Sequence, residues 1–150
     1  MKAVIQRVLR ASVTADGVPA GKCGHGLLLL VGVVPEDTAR DADILAAKIA
    51  KIRIFTDDAD KMNLSVLDIG GSVLAVSNFT LAADISHGNR PSFTSAAKPD
   101  AANPLYEHFC DVLRALGVPV ETGVFGADMQ IDTVCDGPVT ILADSAMWKA

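Results

Sequence analysis

The chain has little of what secreted, metal-stapled or membrane-spanning proteins depend on. Its three cysteines, Cys23, Cys110 and Cys135, are widely scattered, and no two are at Cys-x-x-Cys spacing. This pattern indicates neither a disulfide framework nor a structural zinc site. The longest apolar run, residues 27–34, is far shorter than a membrane-spanning helix, and residues 1–7 are too polar for a signal peptide. These absences predict a cytoplasmic protein with free thiols and no membrane contact.

The chain also lacks an excess of positive charge. Its 13 Lys and Arg residues are outnumbered by 18 Asp and Glu, which gives a net charge of -5. Proteins that coat DNA or RNA need many cations on the phosphates, so DNA is not an expected partner. An RNA end that enters a pocket with a few local cations remains compatible with this charge. The mean hydropathy of +0.34 is high for a chain of this size and favours a homodimer.

Familiar catalytic and metal-binding motifs are missing as well. The sequence contains no Gly-x-Ser-x-Gly, no Walker A motif, no His-Glu-x-x-His and no Gly-x-Gly-x-x-Gly. Asp57, Asp58 and Asp60 lack the glycine and glutamate that complete an EF-hand loop, so we interpret them as a solvated turn. The three histidines share no metal-ligand spacing; they are His25, His87 and His108.

Hydrophobic periodicity and turn residues predict an α+β fold. Strand patterns that are grouped together, with only two helical patterns between them, favour a mainly antiparallel, barrel-like or sandwiched sheet in a single domain over residues 1–150. The first helix is expected after Pro35, with Thr38 and Asp41 as a capping pair. The second is expected from Asn103 and Pro104 to Gly117, after a long loop at 85–102. The expected strands are 1–8, 11–15, 18–22, 26–34, 72–79, 118–121, 129–135 and 139–144. A hairpin turn is expected at Asp16-Gly17, and the apolar run 26–34 is expected to be buried on both faces.

Two short segments at strand ends could carry chemistry. Ser77 and Thr80 supply hydroxyl groups, but a nucleophile needs a neighbouring base, and none is assigned by the sequence. On residue type alone they are ordinary strand-end hydroxyls that bond nearby backbone. Gly137-Pro138, taken alone, is likewise an ordinary turn.

Taken together, however, the segments appear in an order that resembles the D-aminoacyl-tRNA deacylases over essentially the whole chain. The family has the motifs Ser-Gln-x-Thr and Gly-Pro-x-Thr, and the second is intact here. The first departs from the pattern, because Asn78 stands where the family usually has glutamine, and Cys135 stands where asparagine is common. The matching pieces are Met1-Lys2-Ala3-Val4-Ile5-Gln6-Arg7-Val8, Arg53-Ile54-Phe55, Lys61-Met62-Asn63-Leu64-Ser65, Ser77-Asn78-Phe79-Thr80-Leu81, Arg90-Pro91-Ser92-Phe93, Phe125-Gly126-Ala127-Asp128-Met129-Gln130 and Asp136-Gly137-Pro138-Val139-Thr140.

The resemblance implies a homodimeric hydrolase without a metal or organic cofactor. Such an enzyme cleaves the ester between a D-amino acid and the 3′-terminal adenosine of tRNA, and also removes glycine from tRNA(Ala). Its catalytic segment corresponds to Ser77, Asn78, Phe79 and Thr80, with backbone N–H groups near Phe79 and Thr80 polarising the ester carbonyl. An older interpretation makes Thr80 a covalent nucleophile.

The resemblance also implies a filter for handedness. The Gly137-Pro138 bond is expected to be cis and to reach into the partner's pocket, where backbone carbonyls clash with an L side chain. Arg7 is expected to support this loop. The remaining implied substrate-binding residues are Val139, Thr140, Met129 and Phe125.

Two other functions stay open at this level. One is a non-catalytic module on the same fold that binds an RNA end. It stays open because Asn78 departs from the family's glutamine in the catalytic motif. The other is an esterase for small D-amino esters that ignores tRNA, which the low basic content keeps in view.

Overall fold

The computed structural model describes residues 1–149 and contains eight strands and two α-helices. Within these residues, no helix combines the length and apolar character needed to cross a membrane. Two short 3-10 helices cover Phe79–Ala82 and Ser145–Trp148. The α-helices are α1 (Ala39–Lys51) and α2 (Pro99–Ala115). The strands are β1 (Lys2–Ala15), β2 (Val18–Cys23), β3 (Gly26–Gly32), β4 (Phe55–Thr56), β5 (Met62–Leu64), β6 (Ser72–Ser77), β7 (Val120–Thr122) and β8 (Met129–Asp144).

Six strands form one mixed sheet that is nearly closed into a barrel. The order is β2-β1-β3-β6-β7, with β8 paired to the other side of β1. Pairs that include β1 are antiparallel, whereas β3–β6 and β6–β7 are parallel because α1 and α2 provide the crossovers. The end strands approach each other, since the Lys22 N–H of β2 donates to Glu121 of β7 at 2.8 Å. The predicted α+β class, with two helices and a barrel-like sheet, is therefore confirmed.

Strands β1 and β8 are longer than the sequence patterns suggest. The hairpin between β1 and β2 turns at Asp16 and Gly17, whose φ angles of 49° and 79° suit a two-residue turn. The predicted strands 129–135 and 139–144 are one strand, β8, which pairs with β1 from Met129 to Asp144. The register places Gln6 opposite Thr140 and Val8 opposite Cys135, so residues 136–139 bulge out between two paired halves.

Helix α1 begins as the capping signal predicts. The Asp41 carboxylate accepts hydrogen bonds from the backbone N–H and the hydroxyl of Thr38, both at 2.9 Å. Its other oxygen accepts from Ser145 at 2.7 Å and pairs with Lys149 at 2.6 Å. Burial alone would raise the pKa of Asp41, but these partners outweigh it and hold the pKa well below its usual range. The start of α1 is therefore tied to the end of the chain by a buried carboxylate.

Helix α2 starts earlier than predicted. Its first residue is Pro99, so Pro104 lies inside the helix and the predicted loop ends before Lys98. Proline is tolerated in the first turn of a helix because its missing N–H would have no partner there. The sequence predicted that turn at Pro104, which was wrong, since the structure has it at Pro99. The predicted end is confirmed, since Gly117 has a φ of 96° and Val118 N–H donates back to Leu113 at 3.1 Å.

The hydrophobic core lies on both faces of the central strands. Residues of β3 and β6 alternate between a larger cluster, shared with both helices, and a smaller cluster made only by strand residues. For example, Val73 and Ala75 face the helices, whereas Leu74 and Val76 face the smaller cluster. This burial on both faces explains the unbroken apolar runs of the two strands.

Candidate active site

A cavity of about 780 Å³ opens beside the carboxyl end of β6. It lies between this strand end, the 3-10 helix that follows it, the start of α2 and the segment that leads into β8. Its volume is in the range of small-molecule binding sites. The chemistry-bearing or bulky residues that line it are Ser77, Asn78, Phe79, Thr80, Phe93, Lys98, Phe125, Asp128, Met129 and Ile131. The cavity thus brings together all four residues of the predicted catalytic segment, and with them Phe125 and Met129.

The 3-10 helix after β6 holds the predicted catalytic segment, residues 77–80, in place. The Asn78 N–H donates to Val31 of β3 at 2.8 Å, which anchors the turn to the sheet. The Asn78 side-chain oxygen then accepts from the Thr80 N–H at 3.2 Å and from the Thr80 hydroxyl. Asparagine is a preferred cap at a helix start because its short side chain reaches these first N–H groups. Asn78 therefore uses its amide oxygen to order the turn.

The N–H of Phe79 remains available at the cavity wall. Phe79 is the first residue of the 3-10 helix, so its N–H has no acceptor within that helix. None of the hydrogen bonds found across residues 1–149 uses it either. The Phe79 ring is 56% exposed and meets the Phe93 ring edge to face, with centroids 5.2 Å apart. The site thus offers one backbone donor beside two aromatic rings.

Thr80 has no basic partner. Its hydroxyl donates to the amide oxygen of Asn78, which is not a base under ordinary conditions. None of the three histidines lines the cavity: His108 pairs with Asp43 at 2.7 Å, and His87 bonds Ser86 at 2.8 Å. Within residues 1–149, the Thr80 hydroxyl is hydrogen-bonded to an amide oxygen and to no group that would act as a base.

Phe125 and Met129 form the part of the cavity wall that comes from the segment leading into β8. Both are half-buried, so each shapes the cavity and the core at once. The Phe125 ring lies 6.2 Å from that of Tyr106, and Met129 packs against the smaller hydrophobic cluster. A side chain at Gly123 would come within 2.5 Å of the Met129 sulfur, so the glycine leaves room for this methionine.

Residues 136–139 lie outside this cavity in their own chain. The Gly137-Pro138 bond is cis, and Gly137 has a φ of 124°. Gly137, Pro138 and Thr140 are exposed, whereas Val139 packs against the larger cluster. A Cβ at Gly137 would lie 2.9 Å from both the backbone nitrogen and the Cγ2 of Val139, so only glycine fits without a shift.

Arg7 holds this bulge to the body of the protein. The side chain is 8% exposed and reaches from β1 in two directions. Its Nη1 donates to the carbonyl of Ile54 at 2.7 Å, and its Nε donates to the carbonyl of Asp136 at 3.3 Å and lies 3.1 Å from the Asp136 carboxylate. Arg7 therefore contacts the residue before Gly137 within a single chain, and its support of the loop in a dimer stays a prediction.

Two charged residues line the cavity, and neither was among the predicted site residues. Among its lining residues, Lys98 is the one cation and Asp128 the one acid. Asp128 and Phe93 lie in segments that resemble the deacylase family, so the sequence could have indicated them. Lys98 lies outside those segments, and no sequence pattern indicated it. Across residues 1–149 no group of three His, Cys, Asp or Glu side chains is placed to hold a metal ion. Asp57 instead closes a turn, since it accepts from the N–H groups of Ala59 and Lys61.

Comparisons with known proteins give a consistent result. The family model described as D-Tyr-tRNA(Tyr) deacylase matches residues 4–144. A D-aminoacyl-tRNA deacylase of Deinococcus radiodurans is 60% identical over 144 residues, which cover 96% of this chain and 99% of that protein. One from Anaeromyxobacter dehalogenans is 59% identical, with 97% of each chain covered.

Solved structures show the same fold. A chain described as c-Myc DNA Unwinding Element Binding Protein matches with a TM-score of 0.90 and 39% identity, over 96% of this chain and 98% of that one. A probable eukaryotic D-amino acid tRNA deacylase matches with a TM-score of 0.80 over 95% of this chain and 98% of that one. At 16% identity, the second likeness concerns the fold alone.

Proposed function

The chain belongs to the D-Tyr-tRNA(Tyr) deacylase family, and from this we propose that it hydrolyses the ester between a D-amino acid and the 3′-terminal adenosine of tRNA. The relatives that are similar over nearly their full length are named D-aminoacyl-tRNA deacylases. The products are the free D-amino acid, or glycine where the tRNA carries glycine, and the deacylated tRNA.

The free N–H of Phe79 at the cavity wall carries this proposal. Attack of water on an ester places negative charge on the carbonyl oxygen, and a fixed N–H donor stabilises that charge in the transition state. The Thr80 N–H, in contrast, is already bonded to Asn78. We therefore assign the Phe79 N–H as the main donor to the oxyanion, and Asn78 and Thr80 as the residues that hold its turn in shape. The 2′-hydroxyl of the substrate ribose helps to orient the attacking water.

The competing mechanism, with Thr80 as a covalent nucleophile, has less support. A hydroxyl needs a base to become nucleophilic, and that of Thr80 donates to an amide oxygen. The Thr80→Ala variant should therefore keep substantial deacylation of D-Tyr-tRNA, measured as the first-order rate constant in single-turnover assays. Thr133→Ala is the matched control, because Thr133 lies on β8 outside the cavity and its hydroxyl also donates one hydrogen bond, to the Arg10 carbonyl at 3.4 Å. Loss of all turnover in folded Thr80→Ala, but not in the control, would establish the nucleophile.

Selection for the D form is proposed to come from a second copy of the chain. Gly137, Pro138, Val139 and Thr140 lie outside the cavity of their own chain, and Gly137 and Pro138 are exposed on a bulge that Arg7 supports. In a homodimer, their backbone carbonyls would enter the partner's cavity and clash with an L side chain. Such exclusion needs no affinity for any side chain, so glycine should pass.

Dilution tests this arrangement directly. If each site needs its partner, rejection of L-Tyr-tRNA should weaken at concentrations where sedimentation shows monomer. A monomer that retains full activity and full selectivity would refute the shared site.

The Gly137→Ala variant provides a second test, because its new Cβ displaces Val139 and the bulge. We expect hydrolysis of L-Tyr-tRNA to rise relative to D-Tyr-tRNA. Gly17→Ala is the control, since Gly17 also has a positive φ but has nothing within 4 Å of its Cβ position. Unchanged chirality preference in folded Gly137→Ala would contradict the filter.

Substrate comparison separates the alternatives. Binding of D-Tyr-tRNA without turnover would indicate a non-catalytic module. Faster hydrolysis of a D-tyrosyl methyl ester than of D-Tyr-tRNA would indicate a small-ester esterase instead.

A further inference from the structure

We propose that Lys98 binds the phosphate that precedes the terminal adenosine of the RNA substrate. This inference rests on the proposed function and extends it to a contact with the RNA backbone. The starting observation is that Lys98 is the one cation among the residues lining the cavity, in a chain whose net charge is -5. An RNA end that enters this cavity therefore meets one positive side chain, whereas the net negative charge of the protein repels its phosphates.

The Lys98 ammonium is free to take an anion. The ion pairs found within residues 1–149 do not include it, and its side chain makes no hydrogen bond there. The cavity's acid, Asp128, is likewise outside these pairs. Several other cations are committed, as Arg7 is to Asp136 and Lys149 to Asp41. Lys98 thus lines the cavity without an ion-pair partner among residues 1–149.

Its position is also a poor one for helix stability. Lys98 is the residue that precedes the first turn of α2, where a cation meets the positive end of the helix and a short polar side chain is preferred. It makes no capping hydrogen bond with its side chain. A residue that breaks a local rule, without a structural partner that compensates for it, is a candidate for function.

The ligand group is the side chain rather than the helix start. Pro99 has no N–H, and the N–H groups of Ala101 and Ala102 are bonded to the Lys98 carbonyl at 3.0 and 2.8 Å. A lysine ammonium binds phosphate as a point charge and does not need a fixed fork of donors. The expected partner is therefore the phosphodiester next to the ester-bearing adenosine, which carries a negative charge at neutral pH.

Two small substrates test this contact. One is 3′-O-D-tyrosyl-adenosine and the other is the same ester with a 5′-phosphate, which stands for the phosphodiester. For the unaltered protein, the phosphate should lower KM. In Lys98→Gln, KM for the phosphorylated ester should rise about two- to fivefold, as for one exposed ion pair. The kcat for both esters, and KM for the unphosphorylated one, should not change.

Salt and a matched variant complete the test. With D-Tyr-tRNA, the slope of log KM against log salt should fall by about 0.7 in Lys98→Gln, the value for one phosphate on a single strand. Lys61→Gln is the control, because Lys61 is exposed, outside the cavity and in no ion pair. If Lys98→Gln and Lys61→Gln had equal effects, or if Lys98→Gln changed KM equally for both esters, the phosphate site would be refuted. The proposed function would stand in either case. If the unaltered protein hydrolysed neither ester and left D-Tyr-tRNA intact, the proposed function itself would fail.

Discussion

Removal of the Arg7 side chain should release residues 136–139 from the rest of the protein. In Arg7→Ala, the bulge loses its contacts at the Asp136 carbonyl and carboxylate, and the Ile54 carbonyl loses its donor. Since Ile54 is buried, its carbonyl would then be left without a partner. Arg7→Lys keeps the charge but cannot hold both directions at once, because lysine lacks the planar fork.

The magnitude follows from these contacts. Leaving a buried carbonyl unpaired costs about 1–3 kcal/mol. The ion pair contributes about 1 kcal/mol at most, because the Asp136 side chain is 36% exposed and partly screened by water. The free energy of unfolding should therefore fall by about 3 kcal/mol, which lowers Tm by about 6–12 °C in a chain of this length.

Urea unfolding at fixed protein concentration measures this loss. Arg10→Ala is the matched control on the same strand pair, since Arg10 is 62% exposed and lies 3.7 Å from Asp132. It should cost less than about 0.5 kcal/mol. A loss under about 1 kcal/mol in Arg7→Ala, or a loss equal to that in Arg10→Ala, would show that Arg7 does not support the bulge.

Three further changes have defined outcomes. Asp41→Asn should lower the free energy of unfolding by about 1–3 kcal/mol at pH 7. Because the pKa of Asp41 is lowered in the folded state, this loss should be smaller by about 1 kcal/mol at pH 3, which lies below the unfolded-state pKa near 4. A loss in urea unfolding that does not change with pH would contradict this. Tyr106→Phe removes a buried hydrogen bond of 2.8 Å to the Ala75 carbonyl and should cost about 1–2 kcal/mol in the same assay, so an unchanged midpoint would show that the bond contributes nothing. Asn78→Gln lengthens the side chain that caps Thr80 by one methylene. Since one such cap is worth about 1 kcal/mol, kcat for D-Tyr-tRNA should change by less than about tenfold. A rise from no activity to full activity would mean that asparagine at position 78 inactivates the site.

Signals that depend on near neighbours were predicted well from the sequence. The turn at Asp16-Gly17, the Thr38–Asp41 capping pair and the end of α2 at Gly117 each involve residues within a few positions of one another. Their physical cause, a backbone angle or a local hydrogen bond, is contained in the segment itself. The apolar run of β3 likewise predicted a strand that is buried on both faces.

Errors arose where a local signal had two solutions. Pro99 and Pro104 are both acceptable near a helix start, and packing of Ala102 against the core favours the earlier one. The break predicted between 135 and 139 has the same origin. Gly137 and Pro138 do interrupt the ladder, but β1 pairs with β8 on both sides of them and makes a single strand.

Motif order and short-range patterns were enough to predict the family and the class of fold, and both predictions are confirmed. The catalytic role of residues 77–80 stays a prediction, and the surroundings of these residues could be described only from the folded chain. Lys98 joins the cavity from the start of α2, and Ile131 joins it from β8. Such contacts depend on which faces pack together, and no local pattern of residues encodes that choice.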